Sequence, residues 1–380
     1  METKNLQRIA LSSYFFLSGL CFSSWASRIP TLKDFFHLND AQLGSLLLIM
    51  PFSALIGIVA SGWLVSKFDT RKPLAASFVL FALALIGISF AKTTLILVVL
   101  LGLFSVFLRI LNIAMNAQSI SLQKEFNKKI IGSFHGIWSI GGVVGVLFST
   151  VMLKLGVSIE VHLTSIGVIT VLGSIIAYKY SLKNDKSTVG NKLVLGKPDP
   201  LIFYLGLLIF FAAICEGGMY DWSGIYFKEV VKEDIFTYGY LLFMTCMATS
   251  RIFLDKLLDR MSMAVMYIIS GMLISIGILI AIIFPHFWTA LIGFCLVGIG
   301  ASAVFPMTYI LAGKSKNYSP GMAISIVGTY AIIGVFIGPP LIGYLSHAFG
   351  LQYAFFILMF CGLMFIPISQ LFFKSEKNQV

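Results

Sequence analysis

The sequence predicts an all-α membrane protein with many spanning helices, and three observations lead to this fold class. Hydrophobic residues make up 58% of the 380 residues and charged residues only 11%, whereas about a quarter of the residues in a soluble domain are charged. The mean hydropathy is +0.94. The apolar residues also form long uninterrupted runs, and a run of about 20 residues is long enough to cross a bilayer.

Twelve runs reach this length, six on each side of a polar stretch at 179–200. They are predicted at 8–27, 43–65, 74–91, 94–118, 133–153, 160–179, 201–222, 237–257, 262–284, 287–312, 322–346 and 350–373. We therefore expect an N-terminal six-helix bundle at 1–178, a linker at 179–200 and a C-terminal six-helix bundle at 201–380. An even number of spans places both chain ends on the same side.

The loop charges predict which side that is. Lysine and arginine are concentrated in one set of loops, which includes both ends and the 179–200 linker. The opposite loops hold only Arg28, Lys33, Lys92, Lys154, Lys228 and Lys232. By the positive-inside rule, both termini and the linker are expected in the cytoplasm. Because the positive charge is scattered over short loops, the net charge of +11 indicates topology rather than nucleic-acid binding.

The sequence argues against an enzyme. The five cysteines lie in apolar runs without CxxC spacing, so neither a disulfide framework nor a zinc site is expected. There is no Walker loop, HExxH or GxSxG motif, which argues against ATP-driven or hydrolytic chemistry. A membrane enzyme or a sensor would need clustered catalytic groups or a folded extramembrane domain, and neither is evident. No cofactor is expected.

Glycines repeat between the two halves. Gly141 and Gly145 in the fifth span match Gly334 and Gly338 in the eleventh, 193 residues later. Two repeated six-helix halves joined by a cytoplasmic loop are typical of transporters that rock about a site near the bilayer midplane.

The loop after the second span carries a recognisable motif. Its residues 62–72, GWLVSKFDTRK, resemble in degraded form the G-x-x-x-D-R-x-G-R-R/K signature of the major facilitator superfamily, with Lys67, Arg71 and Lys72 matching and Asp69 standing where a glycine is usual. After the eighth span, DKLLDR at 255–260 keeps the acid and the base, while Arg251 occupies the first glycine position. The resemblance covers the whole chain and implies two pseudo-symmetric six-helix bundles.

Further segments resemble a bacterial subgroup of inner-membrane transporters within that superfamily. They are WASRIP at 25–30, NIAMNAQ at 112–118, SFHGIWS at 133–139 and GPP at 338–340. The resemblance implies a multi-pass protein of the bacterial cytoplasmic membrane and a gating role for the residues of the two loop motifs, Lys67, Asp69, Arg71, Arg251 and Asp255.

In the first half, Arg109 is the candidate for solute binding or coupling, because charges inside spans are costly and usually functional. Asn112 follows it by three residues and Asn116 follows Asn112 by four, spacings that are expected to put all three on one helical face. The Arg109-x-x-Asn112 run resembles the superfamily's R-x-x-Q element, which is associated with the translocation path. A packing role for Arg109, bonded to helix carbonyls, is the alternative.

In the second half, Glu216 is the candidate proton carrier, with Tyr220 one turn later. A carboxylate in a partly apolar cavity can exchange a proton near neutral pH. The alternative is a structural ion pair, with Arg28 as the expected partner.

Two aromatic positions in the fifth span are weaker candidates for the site. His135 could couple protons or simply be solvated near the cytoplasmic end. Trp138 could stack on a ligand or anchor at the membrane interface. This span lacks the Gly-Pro pair usual in the superfamily's antiporters, which weighs against drug efflux.

Prolines and an arginine suggest gating positions. Pro306 in the tenth span and Pro339–Pro340 beside Gly338 are expected to interrupt their helices, and static kinks are the alternative for Pro306. Arg251, four residues before Asp255, is most simply paired with it along the helix.

The sequence therefore predicts a secondary transporter that moves a small polar solute, sugar-like in character, by alternating access with proton coupling. Drug or metabolite efflux by proton antiport is the alternative. The expected partners are the solute and the lipid bilayer, with a proton gradient as the energy source. We expect a monomer.

Overall fold

A computed structural model describes residues 3–126, 130–183, 200–315, 317–318 and 320–377, and every regular element among them is a helix. The predicted linker falls largely outside these described residues. The helices are α1 Thr3–Ala26, α2 Ile29–Phe35, α3 Asp40–Leu47, α4 Ile49–Lys67, α5 Arg71–Ser89, α6 Thr94–Gln123, α7 Ile131–Lys154, α8 Ile159–Tyr180, α9 Pro200–Glu229, α10 Tyr238–Arg260, α11 Met263–Ile283, α12 Phe287–Ala301, α13 Val304–Ala312, α14 Pro320–Phe349, α15 Leu351–Ala354 and α16 Phe356–Lys377.

The predicted spans all fall on helices, and the fold class is confirmed. By length and composition, 11 of the described segments could cross a membrane. The remaining predicted span is α10, whose second half carries Arg251 and further charges and is therefore less apolar than the others. Four of these segments are built from two consecutive helices, α1 with α2, α3 with α4, α12 with α13 and α15 with α16.

Contacts divide the described residues into two compact units. The first contains residues 3–36 and 49–183, and the second contains residues 37–48 and 200–377. In the first unit α1 packs on α7 and α8, α5 packs on α6 and α8, and α4 packs on α6. In the second, α9 packs on α14 and α16, α11 on α12 and α16, and α10 on α12. The same pairs of spans therefore meet in each unit.

The repeated glycines explain this shared packing. A Cβ at Gly145 of α7 would lie 2.6 Å from the Leu20 carbonyl oxygen of α1, and one at Gly141 would collide with the Phe16 carbonyl. In the second unit, a Cβ at Gly334 of α14 would lie 2.5 Å from the Phe210 carbonyl of α9. Small residues allow membrane helices to approach this closely. The same backbone contact is thus made twice.

The short helix α3 belongs to the second unit by its contacts, although the predicted boundary at 178 assigns it to the first half. It begins with a capping box in which Asn39 and Gln42 bond each other's backbone. It packs on α14, where the Ser45 and Tyr344 hydroxyls lie 3.0 Å apart. The Ser346 hydroxyl also donates to the Asp40 carboxylate.

The prolines of the two candidate gating spans behave differently. The tenth span breaks between Ala301 and Val304, immediately before Pro306. The eleventh span does not break: α14 runs continuously through Pro339 and Pro340, so the predicted interruption there is wrong. Neighbouring helices can accommodate proline inside a membrane helix, which is why proline alone does not predict a break.

The glycine contact gives a first test. Gly141→Ala should destabilise the protein by about 1–3 kcal/mol, because the added methyl group overpacks a backbone contact, and thermal unfolding in detergent should show a lowered midpoint. Gly136→Ala is the matched control on the same helix, since nothing lies within 4 Å of a Cβ there. Equal midpoints for the two variants would contradict the packing argument.

Candidate functional site

An ion pair inside the second unit joins two spans. Glu216, near the middle of α9, accepts a hydrogen bond at Oε1 from Nη2 of Arg251 on α10, at 3.1 Å. The side chains are largely buried, with 12% and 24% of their surfaces exposed respectively. Charges at this depth are expensive unless they are paired. The pair therefore satisfies both charges.

The Arg251 guanidinium donates a second hydrogen bond to a backbone carbonyl, which Pro306 leaves without its usual helical donor. Arg251 Nε donates to the Ser302 carbonyl at 3.3 Å. In a regular helix this carbonyl would accept from the backbone N–H four residues later, but residue 306 is proline and has no N–H. The break between α12 and α13 therefore leaves an acceptor that Arg251 uses. One guanidinium thus connects α9, α10 and the break in the tenth span.

Tyr220 completes the site from the same helix as Glu216. Its hydroxyl donates to Glu216 Oε2 at 3.2 Å and lies 3.9 Å from the Met247 sulfur. Its ring packs against Tyr240 and Phe243 of α10. The two carboxylate oxygens consequently have different donors, a cation on one and a neutral hydroxyl on the other.

The sequence predicts two ion pairs around these residues. The predicted partner of Arg251 is Asp255, whose side chain lies outside the described part of the chain, and the observed hydrogen bonds of Arg251 go to Glu216 and the Ser302 carbonyl. Arg28, the expected partner of Glu216, belongs to the first unit and bonds other groups. Helical spacing favoured Asp255, whereas the observed contact depends on how α9 and α10 face each other.

The Arg28 cluster was missed by sequence reasoning. Arg28 Nε donates to His162 Nδ1 at 2.9 Å, and Nη2 donates to the Val157 carbonyl at 3.1 Å. His162 Nε2 lies 3.2 Å from the Ser149 hydroxyl, which donates to the Gly145 carbonyl. In this arrangement the imidazole is neutral and carries its proton on Nε2. A lone histidine within an apolar run was the available signal.

Arg109, Asn112 and Asn116 lie on α6 in the first unit. All three are half-buried. The Asn116 side-chain amide donates to the backbone carbonyl of Asn112 at 2.8 Å. A Cβ at Gly57 would lie 2.8 Å from Arg109 Cβ, so α4 approaches α6 closely beside the arginine. These groups offer polar contacts within a span.

His135 and Trp138 lie near the start of α7. His135 is exposed, with its ring edge-on to Phe15 at a centroid distance of 5.4 Å. Trp138 is half-buried and tilted against Phe22 at 6.3 Å. Both residues belong to the first unit, and Glu216 belongs to the second.

Two predicted gating residues of the loop after the second span, Arg71 and Lys67, lie against aromatic rings. Arg71 Nε donates to the Tyr178 carbonyl at 2.9 Å, and its guanidinium lies 3.9 Å from the Tyr178 ring centroid. The Lys67 amine lies 4.8 Å from the Trp63 ring. Asp69 is half-buried beside them in sequence. Arg71 thus fixes the start of α5 to the end of α8.

The remaining gating candidates lie on α14. A Cβ at Gly338 would be 3.5 Å from the Ile214 Cα atom, an ordinary contact, whereas a Cβ at Gly44 of α3 would be 3.0 Å from the Pro339 carbonyl. Among the residues that the structure describes, no cluster of three or more His, Cys, Asp or Glu side chains is placed to hold a metal ion.

The ion pair can be tested by stability. Arg251→Met should destabilise the protein by about 3 kcal/mol, because it leaves the Glu216 carboxylate uncompensated. Adding Glu216→Gln should recover most of that loss, as measured by thermal unfolding near neutral pH. Lys256→Met, at an exposed position on the same helix, is the control and should change little. A double variant that loses the sum of the two single effects would argue against coupling.

Comparison with known proteins places the chain in a family. The family model described as Major Facilitator Superfamily matches residues 11–315 and, in a second match, 242–379. The membrane protein MosC of Rhizobium meliloti is 28% identical over 381 aligned positions, covering 99% of this chain and 92% of MosC.

Two solved structures share the fold. A bacterial homologue of the human lysosomal transporter Spinster superposes with a TM-score of 0.75 at 15% identity, covering 98% of each chain. The nucleoside transporter NupG, as a D323A mutant, gives a TM-score of 0.75 at 14% identity, covering 96% of this chain and all of NupG. The match to the family model extends over most of the sequence, and the chain belongs to the Major Facilitator Superfamily, a family of membrane transporters and not of enzymes.

Proposed function

We propose that this protein moves a small polar solute across the membrane by alternating access, coupled to a proton carried by Glu216. The observation that supports the proposal is the contact of Glu216 with Arg251 and Tyr220. Inside a span, this carboxylate accepts hydrogen bonds from a cation and from a hydroxyl. Protonation of the carboxylate changes these hydrogen bonds.

The coupling follows from the charges. While Glu216 is ionised, Arg251 is bound to it and to the Ser302 carbonyl. When Glu216 takes up a proton, it no longer attracts the guanidinium as an anion, and the charge of Arg251 is left to be balanced by another acceptor. An oxygen atom of a solute is such an acceptor. Loss of the proton restores the pair and displaces the solute.

The energy of the cycle then comes from the proton gradient, and no other cofactor is needed. The break before Pro306 matters here, because the Ser302 carbonyl keeps one bond to Arg251 while the bond to Glu216 opens. The guanidinium is thus held near the site in both protonation states.

The polar residues of the first unit support a hydrophilic solute. Arg109, Asn112 and Asn116 offer amide and guanidinium groups that bond hydroxyl or carbonyl oxygens. A sugar-like molecule carries such groups, and so does the nucleoside class named for NupG. We therefore propose a hydroxyl-bearing solute imported together with protons.

The membrane setting is part of the proposal. Loop charges favour an orientation with both termini in the cytoplasm, and the similarity to bacterial membrane proteins supports a bacterial cytoplasmic membrane. We further propose that the protein is a monomer. In this proposal the halves predicted at 1–178 and 201–380 move relative to each other, and 179–200 is their linker.

Proton coupling can be tested in proteoliposomes. Uptake of radiolabelled sugars and nucleosides should accelerate when the outside is acidified, and Glu216→Gln should lose that dependence because glutamine cannot ionise. Solutes for the panel are first selected by their ability to raise the thermal unfolding midpoint of the purified protein. Exchange of solute at equal pH should persist in the variant, since it needs no net proton movement.

The control for this experiment is Glu125→Gln, which neutralises an exposed carboxylate outside the site. It should retain the response to acidification. A Glu216→Gln variant that is accelerated by the gradient as strongly as the wild type would refute the proton role of Glu216.

A further inference from the structure

Two cysteines of the second unit lie in direct contact. The Cys246 sulfur on α10 is 2.7 Å from the Cys295 sulfur on α12. Both are thiols, and both side chains are half-buried. A disulfide bond is about 2.05 Å long, so the two sulfur atoms are within about 1 Å of bonding distance.

The helix packing explains why these thiols meet. A Cβ at Gly298 of α12 would collide with the Phe243 carbonyl of α10 and lie 3.2 Å from the Met247 nitrogen. Cys246 lies between these two α10 residues in sequence, and Cys295 lies about one turn before Gly298. The glycine therefore brings the backbones together at the level of the two sulfur atoms.

The two cysteines lie at the same distance from the first residue of their helices, α10 and α12. Cys246 and Cys295 each lie about 12 Å along the helix from its first residue, Tyr238 or Phe287, at a rise of 1.5 Å per residue. Further along the same helices, Arg251 reaches the Ser302 carbonyl. The pair is thus held by contacts on both sides of it, which keeps the sulfur atoms facing each other.

The other three cysteines are placed differently. The Cys21 sulfur lies 3.0 Å from the Thr170 hydroxyl in the first unit, with no exposed surface. Cys215 and Cys361 are neighbours, each 1% exposed, and the Cys215 thiol donates to the Leu358 carbonyl. Susceptibility of a thiol to oxidation follows its exposure. Among the described cysteines, the half-buried pair is therefore the most accessible to an oxidant.

We propose that Cys246 and Cys295 form a redox-modifiable dithiol that closes to a disulfide when a hydroperoxide oxidises it. One sulfur attacks the peroxide oxygen and becomes a sulfenic acid, and its proton leaves with the alcohol formed from the peroxide. The second sulfur then displaces hydroxide from the first, and its proton leaves as water. In total, two thiols and one hydroperoxide give one disulfide, one alcohol and one water.

This site does not depend on the proposed transport function. The disulfide joins two helices of one unit and ties α10 to α12. It would be reversed by exchange with a dithiol reductant.

The test uses the full chain in liposomes treated with tert-butyl hydroperoxide, with glutathione present as an indicator that the oxidant is active. Remaining thiols are alkylated after denaturation, and the protein is digested without reductant for mass spectrometry. We expect most of Cys246 to appear in a peptide crosslinked to Cys295, lighter by two hydrogens than the sum of the reduced peptides. Dithiothreitol should abolish it.

The variants Cys246→Ser and Cys295→Ser should each lack the crosslink, and Cys21→Ser should retain it. The wild-type result stands by itself if a serine variant fails to fold. Full alkylation of Cys246 and Cys295 while the glutathione is oxidised would overturn the proposal. A crosslink between Cys215 and Cys361 in place of the Cys246–Cys295 one would overturn it as well.

Discussion

The bond between Arg251 and the Ser302 carbonyl is the interaction on which the candidate site depends. A guanidinium inside a span needs acceptors for several N–H groups, and one carboxylate cannot supply them all. Pro306 removes a backbone donor and so leaves a carbonyl for the arginine. Without that break, pairing with Glu216 would leave the Nε donor without this acceptor. The proline therefore shapes both the helix and the chemistry beside it.

The two units solve the problem of intramembrane charge in different ways. In the second unit a cation meets an anion, Arg251 with Glu216. In the first unit Arg28 meets a neutral imidazole and a carbonyl, and the chain of bonds ends on the Gly145 carbonyl. That carbonyl belongs to a glycine of the repeated helix contact. The Arg28 cluster is thus tied to the packing of α1 and α7, whereas the Glu216 pair joins α9 and α10.

Much of the fold could be predicted from sequence, because span length and hydropathy act locally. The glycine repeat of Gly141 and Gly334 coincides with close backbone contacts in both units. Pairing was harder to predict. Arg251 had a neighbour at helical spacing in Asp255, but its observed partner depends on the rotation of α9 against α10, which no local pattern encodes. The contacts of His162 with Arg28 and Ser149 were missed because they too depend on how separate helices pack. The interruption predicted at Pro339 and Pro340 was wrong, because a helix packed against its neighbours can continue across proline residues.

The contact of α3 with α14 bears on how the chain is made. Asp40 and Ser346 are bonded across 306 residues, so nearly the whole protein is synthesised between them. During that interval the segment 37–48 cannot make the contacts with α14 that place it in the second unit. The second unit can close only when the ribosome has delivered its penultimate span, which makes this short helix one of the last parts of the protein to be seated.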